Sequence, residues 1–87
     1  MPDERNQRPT AEQAFEEAFA GPRDPRSAEY KAGCLAVLRC RLDGVPIRGI
    51  PYPVGSVHAD AWFSGNREGH SIFRRLEDDE RKRERAA

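Results

Sequence analysis

The placement of proline limits the secondary structure that this chain can form. Pro46, Pro51 and Pro53 fall within one short stretch between Gly44 and Gly55. Because proline lacks a backbone N–H donor and fixes φ, this stretch is predicted to be an irregular connection. It also contains five large apolar side chains, which we expect to pack across the ends of neighbouring helices. These are Val45, Ile47, Ile50, Tyr52 and Val54.

The first helix is predicted over residues 11–20. Thr10 precedes Gln13 by three residues, which is a capping-box arrangement. A stripe of apolar residues follows at helical spacing, and Gly21 with Pro22 ends the pattern. The stripe consists of Ala11, Ala14, Phe15, Ala18 and Phe19. The polar residues 1–9 show no period and are predicted to be disordered.

The second helix is predicted over residues 25–43. Asp24 supplies a capping carboxylate, and Pro25 suits the first helical position because no N–H is needed there. Gly44 marks the end of the helix. Several small residues of this helix form a seam along which another helix can approach closely. The seam consists of Ala28, Ala32, Gly33 and Ala36.

A third helix, capped by Ser56, is predicted over residues 57–76. Gly65 and Gly69 weaken a helix interior, so we expect them to pack against the seam of the second helix. The predicted fold is all-α, an antiparallel two-helix hairpin with the short N-terminal helix packed on it. Residues 77–87 are predicted to be a charged helical tail without a core.

The length of 87 residues gives room for one domain, predicted over residues 10–76. A core of this size supplies little net stability, so a partner or a homodimer is expected. No stretch approaches the roughly 20 apolar residues of a membrane span, and the N-terminus has no apolar signal-peptide core. A cytoplasmic protein without a membrane partner is therefore expected.

Residues suited to chemistry are few and scattered. Cys34, Cys40, His58 and His70 lack the paired spacing of a zinc site, so no metal or other cofactor is expected. The helical Ser64 and the two cysteines have no catalytic motif around them. No phosphate-binding glycine loop is present. The sequence therefore predicts a protein that is not an enzyme.

Two groups of residues are candidates for binding a partner. Large aromatic side chains suit either the core or a protein interface, and both readings remain open for them. The candidates for partner contact are Phe15, Phe19, Tyr52, Trp62, Phe63 and Arg67. The net charge of the chain is zero, but residues 25–76 carry eight basic and only four acidic side chains. The candidates for contact with RNA phosphates are Arg39, Arg41, Arg74 and Arg75.

Three short motifs resemble the ribosome modulation factor family and its small phage and plasmid-borne relatives. They are Y-x-A-G at Tyr30 to Gly33, Pro-Tyr at Pro51 and Tyr52, and W-x-x-G-x-R-E at Trp62 to Glu68. The resemblance covers about residues 28–74. It implies a two-helix fold and binding to the small ribosomal subunit and its RNA.

The sequence also differs from that family in ways that favour a second hypothesis. Its connection is longer, an acidic helix precedes the motifs, and its net charge is zero where the factor is strongly basic. Fewer neutralised phosphates weaken RNA binding at physiological salt. The leading hypothesis is a non-enzymatic, phage-related protein that docks on and inhibits or modulates a host protein or ribonucleoprotein complex in the bacterial cytoplasm. Ribosome and RNA binding is the alternative.

Overall fold

The computed structural model describes residues 8–86, which form three α-helices and no strand. The helices are α1 (Ala11–Ala20), α2 (Ala28–Asp43) and α3 (Val57–Ala86). The prediction of an all-α fold is confirmed for this part of the chain. Residues 1–7, most of the segment that is predicted to be disordered, lie outside the described residues. None of the helices in residues 8–86 is both long enough and apolar enough to cross a membrane.

Helix α1 begins at its predicted cap. The hydroxyl of Thr10 accepts a hydrogen bond from the backbone N–H of Gln13 at 3.2 Å, and the Gln13 side chain accepts one from the Thr10 N–H at 2.9 Å. These two bonds satisfy donors that a helix start would otherwise leave open. Ala11 and Ala14 are buried against α2 and α3, so the small side chains let α1 lie close to both helices.

Helix α2 begins three residues later than predicted. Its cap is Ser27, whose hydroxyl accepts from the Tyr30 N–H at 3.2 Å, so Pro25 lies in the preceding loop. That loop is held by Arg23, which donates to the Ala18 carbonyl at 3.0 Å and reaches across to α3. Gly44 ends the helix with φ at 74°, a conformation that glycine adopts without strain.

Helix α3 continues without a break through the segment that is predicted to be a tail, and ends at Ala86. Arg81 and Asp78 form an ion pair one turn apart on this extension. Arg8, which is predicted to be disordered, forms an ion pair of 3.0 Å with Glu80. The extension therefore contacts the segment that precedes α1.

The contacts between α2 and α3 advance in the same direction along both helices. The N-terminal ends of the two helices meet where the His58 Nδ1 lies 3.2 Å from a carboxylate oxygen of Glu29. Further along both helices, the Asn66 side chain donates to the Gly33 carbonyl at 2.8 Å. Near the end of α2, Arg41 stacks over the Phe73 ring. Helices α2 and α3 are therefore parallel, in contrast to the antiparallel hairpin that the sequence predicts.

The length of the connection explains this difference. The 16 residues of α2 rise about 24 Å at ~1.5 Å per residue. The 13 residues between Asp43 and Val57 span up to ~43 Å when extended. The connection can therefore return along the whole of α2 before α3 begins. The antiparallel neighbour of α2 is α1, because Ala11 donates to Asp43 and Glu12 pairs with Arg39.

Glycine permits the close approach of α2 and α3. A Cβ added at Gly65 would lie 2.8 Å from the Tyr30 carbonyl carbon, and one added at Gly33 would lie 2.8 Å from the Trp62 carbonyl carbon. Any other residue at these two positions would meet the backbone of the opposite helix. Of the predicted seam of small residues, only Gly33 is buried at this crossing, whereas Ala28 and Ala32 are exposed.

Candidate docking surface

The connection leaves its large apolar side chains partly exposed. The exposed fractions are 49% for Val45, 42% for Ile47, 36% for Ile50 and 86% for Val54. The prediction that these residues pack across the helix ends is therefore wrong for Val54, whereas about half or more of the surface of the other three is covered. Tyr52, whose ring lies 5.9 Å from that of His58, is also partly buried. The prolines explain this partial exposure, because residues without an N–H donor and with a fixed φ interrupt any regular element that could turn one face to the core.

Between the connection and the helices lies an open groove of about 320 Å³, which we call the connection groove. Trp62 lines it and is itself only 4% exposed. The remaining lining comes from one side of α2 and from the connection itself. The lining residues are Ala36, Arg39, Val45, Pro46, Ile47, Arg48, Gly49, Pro51 and Trp62. The groove is thus apolar, with two guanidinium groups as its only charges.

The two arginines of the groove differ in their partners. Arg39 is bonded to Glu12 of α1, with Nε 3.0 Å and Nη2 2.9 Å from one carboxylate oxygen. The hydrogen bond from Arg39 lowers the pKa of Glu12. Arg48 forms no ion pair within residues 8–86. Among residues 8–86, the groove therefore has one paired and one unpaired guanidinium group.

The structure places the aromatic candidates in different surroundings. Trp62 is buried, and Phe15 and Phe19 stack on each other and pack against the core. The guanidinium of Arg23 also covers Phe19, at 4.1 Å from the ring centre. Phe63 is 41% exposed and lies edge-on to Trp62. Of these four rings, only Phe63 offers a large free surface.

The four arginines proposed to contact RNA do not form a single patch. Arg39 lies beside the connection groove, and Arg41, two residues later, points away from it because helical neighbours at that spacing diverge by about 200°. Arg41 and Arg74 instead flank His70, whose pKa is lowered by burial and by these two cations. Arg75 is exposed one helical step from Arg74. Arg67, also exposed, lies two turns before Arg74 on the same side of α3.

Residues of the two motifs on α2 and α3 meet where these helices cross. Tyr30 donates its hydroxyl to Glu68 at 2.6 Å, and Arg23 donates to both oxygens of the same carboxylate, at 2.9 and 3.0 Å. The bond from Arg23 lowers the pKa of Glu68. Burial, followed by the bond to Glu68, raises the pKa of Tyr30. This network joins the loop after α1 to both long helices, so the motif has a packing role in this chain.

Within residues 8–86, no three histidine, cysteine or carboxylate side chains lie close enough together to hold a metal ion. Cys34 is a buried free thiol, and burial raises its pKa to about 12. A thiol with so high a pKa is a poor nucleophile at neutral pH. Cys40 is half-buried and also free.

Sequence reasoning missed the connection groove. It assigned Val45, Ile47 and Ile50 to packing and did not single out Arg48, which lines the groove. The available signal was the density of prolines among large apolar residues, which prevents a regular element and leaves the side chains without an assigned face. Comparison of the chain with family models, with curated proteins and with solved structures finds no match.

Proposed function

We propose that this chain is a non-enzymatic binding protein that docks on a partner protein through the connection groove. The observation that carries this proposal is the partial exposure of Val45 and Ile47, two large apolar side chains that line the groove. Contiguous apolar surface of this kind on a small protein marks an interaction site. Full burial of an exposed side chain of this size contributes roughly 1.5–3 kcal/mol, and these side chains, which are about half exposed, can contribute about half of that each.

The rigidity of the segment supports the same proposal. Three prolines restrict the backbone of the connection, and Val45 is tied to α2 because its N–H donates to the Arg39 carbonyl at 3.1 Å. The Ser56 N–H donates to the Pro53 carbonyl, also at 3.1 Å, at the other end. A segment that is ordered before binding loses little conformational entropy on docking. The three motifs resemble those of small phage and plasmid-borne proteins. We therefore propose that this chain is phage-related and that its partner is a host complex, which it modulates or inhibits in the bacterial cytoplasm.

The experiment is an affinity purification from bacterial lysate with matched variants. The tagged protein is compared with Ile47→Asp, which puts a charge in the groove, and with Val57→Asp, which changes an apolar side chain that is 81% exposed and does not line the groove. Each lysate is tested with and without ribonuclease. The proposal expects a stoichiometric, nuclease-resistant partner that Ile47→Asp loses and Val57→Asp retains. Equal recovery with both variants would contradict it.

A second candidate function is binding to the small ribosomal subunit and its RNA. The observation that favours it is that Arg41, which stacks over Phe73 of α3, and Arg74 both lie near His70. Two neighbouring cations can contact phosphates. This candidate expects binding that nuclease abolishes, that falls steeply with salt, and that weakens in the double variant Arg41→Gln, Arg74→Gln. Insensitivity to both salt and nuclease would contradict it.

A further inference from the structure

We infer that the connection groove selects a partner segment that carries a carboxylate beside its apolar side chains, and that Glu12 competes with this carboxylate in the free protein. The inference rests on the proposed function and adds the chemistry of the partner. It is based on the charges of the groove and on the ion pair between Glu12 of α1 and Arg39 of α2.

The charge of the groove is of one sign. Arg39 and Arg48 line it, whereas none of its lining residues is acidic. A guanidinium beside apolar walls keeps its charge and needs hydrogen-bond acceptors when a partner excludes water from it. A carboxylate supplies these acceptors, and a basic or purely apolar segment does not. Charge complementarity therefore favours an acidic-apolar segment over either alternative.

The ion pair of Arg39 shows that this guanidinium, which lines the groove, binds a carboxylate. The Glu12 carboxylate lies 2.9 Å from the guanidinium, and both side chains are about half exposed. An exposed ion pair of this kind contributes little to stability, so another carboxylate can replace Glu12 without unfolding α1. Helix α1 retains its capping box and its buried alanines when this pair breaks. Glu12 thus acts as an internal competitor for one of the two cationic groups.

Substitutions of Arg48 and of Glu12 are expected to change the affinity for an acidic segment in opposite directions. Neutralising Arg48 removes a cation that has no ion pair within residues 8–86, so affinity for an acidic segment falls. Neutralising Glu12 removes the competitor and frees Arg39, so affinity for the same segment rises. An increase in affinity after the loss of a charged residue outside the groove lining is not expected from apolar docking alone. Glu16, another exposed carboxylate of α1 with no ion pair within residues 8–86, is the matched control.

The test uses a phage-displayed library of random twelve-residue peptides, selected on the full-length chain and counter-selected on Ile47→Asp. We expect enriched peptides to carry Asp or Glu within two residues of Leu, Ile or Phe. For one synthetic enriched peptide, Glu12→Gln should tighten binding roughly two- to fivefold and Arg48→Gln should weaken it by a similar factor. Glu16→Gln should leave binding unchanged.

The outcomes separate this inference from the proposed function. Enriched peptides that lack carboxylates, with no effect of Glu12→Gln, would overturn the inference while leaving the groove as the docking surface. An equal gain of affinity in Glu12→Gln and Glu16→Gln would also overturn it, because net charge would then explain the result. Failure to enrich any peptide on the wild-type chain over Ile47→Asp would overturn both.

Discussion

Replacement of Gly65 by alanine should separate α2 from α3. The new Cβ would lie 2.8 Å from the Tyr30 carbonyl carbon and 2.9 Å from the Cys34 nitrogen, and closer still to the Tyr30 carbonyl oxygen. These are backbone atoms, so no side-chain rotation can relieve the contact. Because carbon atoms prefer separations of about 3.5–4.0 Å, the helices must move apart by the order of an ångström.

The cost of this movement can be worked out from the contacts at the crossing. Overpacking of this kind costs about 1–3 kcal/mol. The hydrogen bond from Asn66 to the Gly33 carbonyl and the bond from Tyr30 to Glu68 also lie across this interface, and each contributes about 1 kcal/mol. Alanine regains about 1 kcal/mol through its better helix propensity. We therefore expect a net loss of about 2–4 kcal/mol.

The assay is urea unfolding followed by far-ultraviolet circular dichroism, with Gly21→Ala as the matched control. No atom lies within 4 Å of a Cβ added at Gly21, which has φ of −82°. The control should therefore be neutral or slightly stabilising. If Gly65→Ala unfolds within about 0.5 kcal/mol of Gly21→Ala, the close crossing of α2 and α3 is refuted.

Two further predictions concern the network around Glu68. Tyr30→Phe removes the 2.6 Å hydrogen bond to Glu68. It should lower the free energy of unfolding by about 1–2 kcal/mol in the same urea assay. An unchanged free energy of unfolding would show that this bond is absent from the folded protein. The folded-state pKa of Glu68 is lowered, so its contribution is full above its unfolded pKa of about 4.3 and is lost as the pH falls through the lower folded value. Unfolding at pH 2–7 should therefore show an acid-side loss of stability that shrinks in Glu68→Gln. Identical pH dependence in both proteins would contradict it.

Local signals in the sequence predicted the helix ends that depend on nearby residues. The bounds of α1 follow from the Thr10 cap and from Gly21, and the end of α2 follows from Gly44, because these devices act within a few residues. The start of α2 was misplaced because Ser27 competes with Asp24 as a cap. The choice between these two caps depends in part on the loop between α1 and α2. Arg23 of that loop is bonded to Glu68, a contact between residues 45 positions apart.

The direction of α3 relative to α2 could not be read from the sequence. Gly65 and Gly69 correctly indicated a close crossing, but a glycine pair permits approach in either direction. The direction depends on the path of the connection. That path in turn rests on few backbone hydrogen bonds, of which the bonds at Val45 and Ser56 are examples. The connection groove arises from the same path, so the sequence indicated neither the groove nor the direction of α3.

Site-specific photocrosslinking tests the docking surface most directly. A photoreactive phenylalanine analogue at position 47 is placed in the groove, and the same analogue at position 74 is placed beside the basic group around His70. Both proteins are expressed in bacteria and irradiated. The proposal predicts one discrete, nuclease-resistant protein adduct from position 47 and none from position 74. RNA adducts from position 74, with none from position 47, would contradict docking through the connection groove.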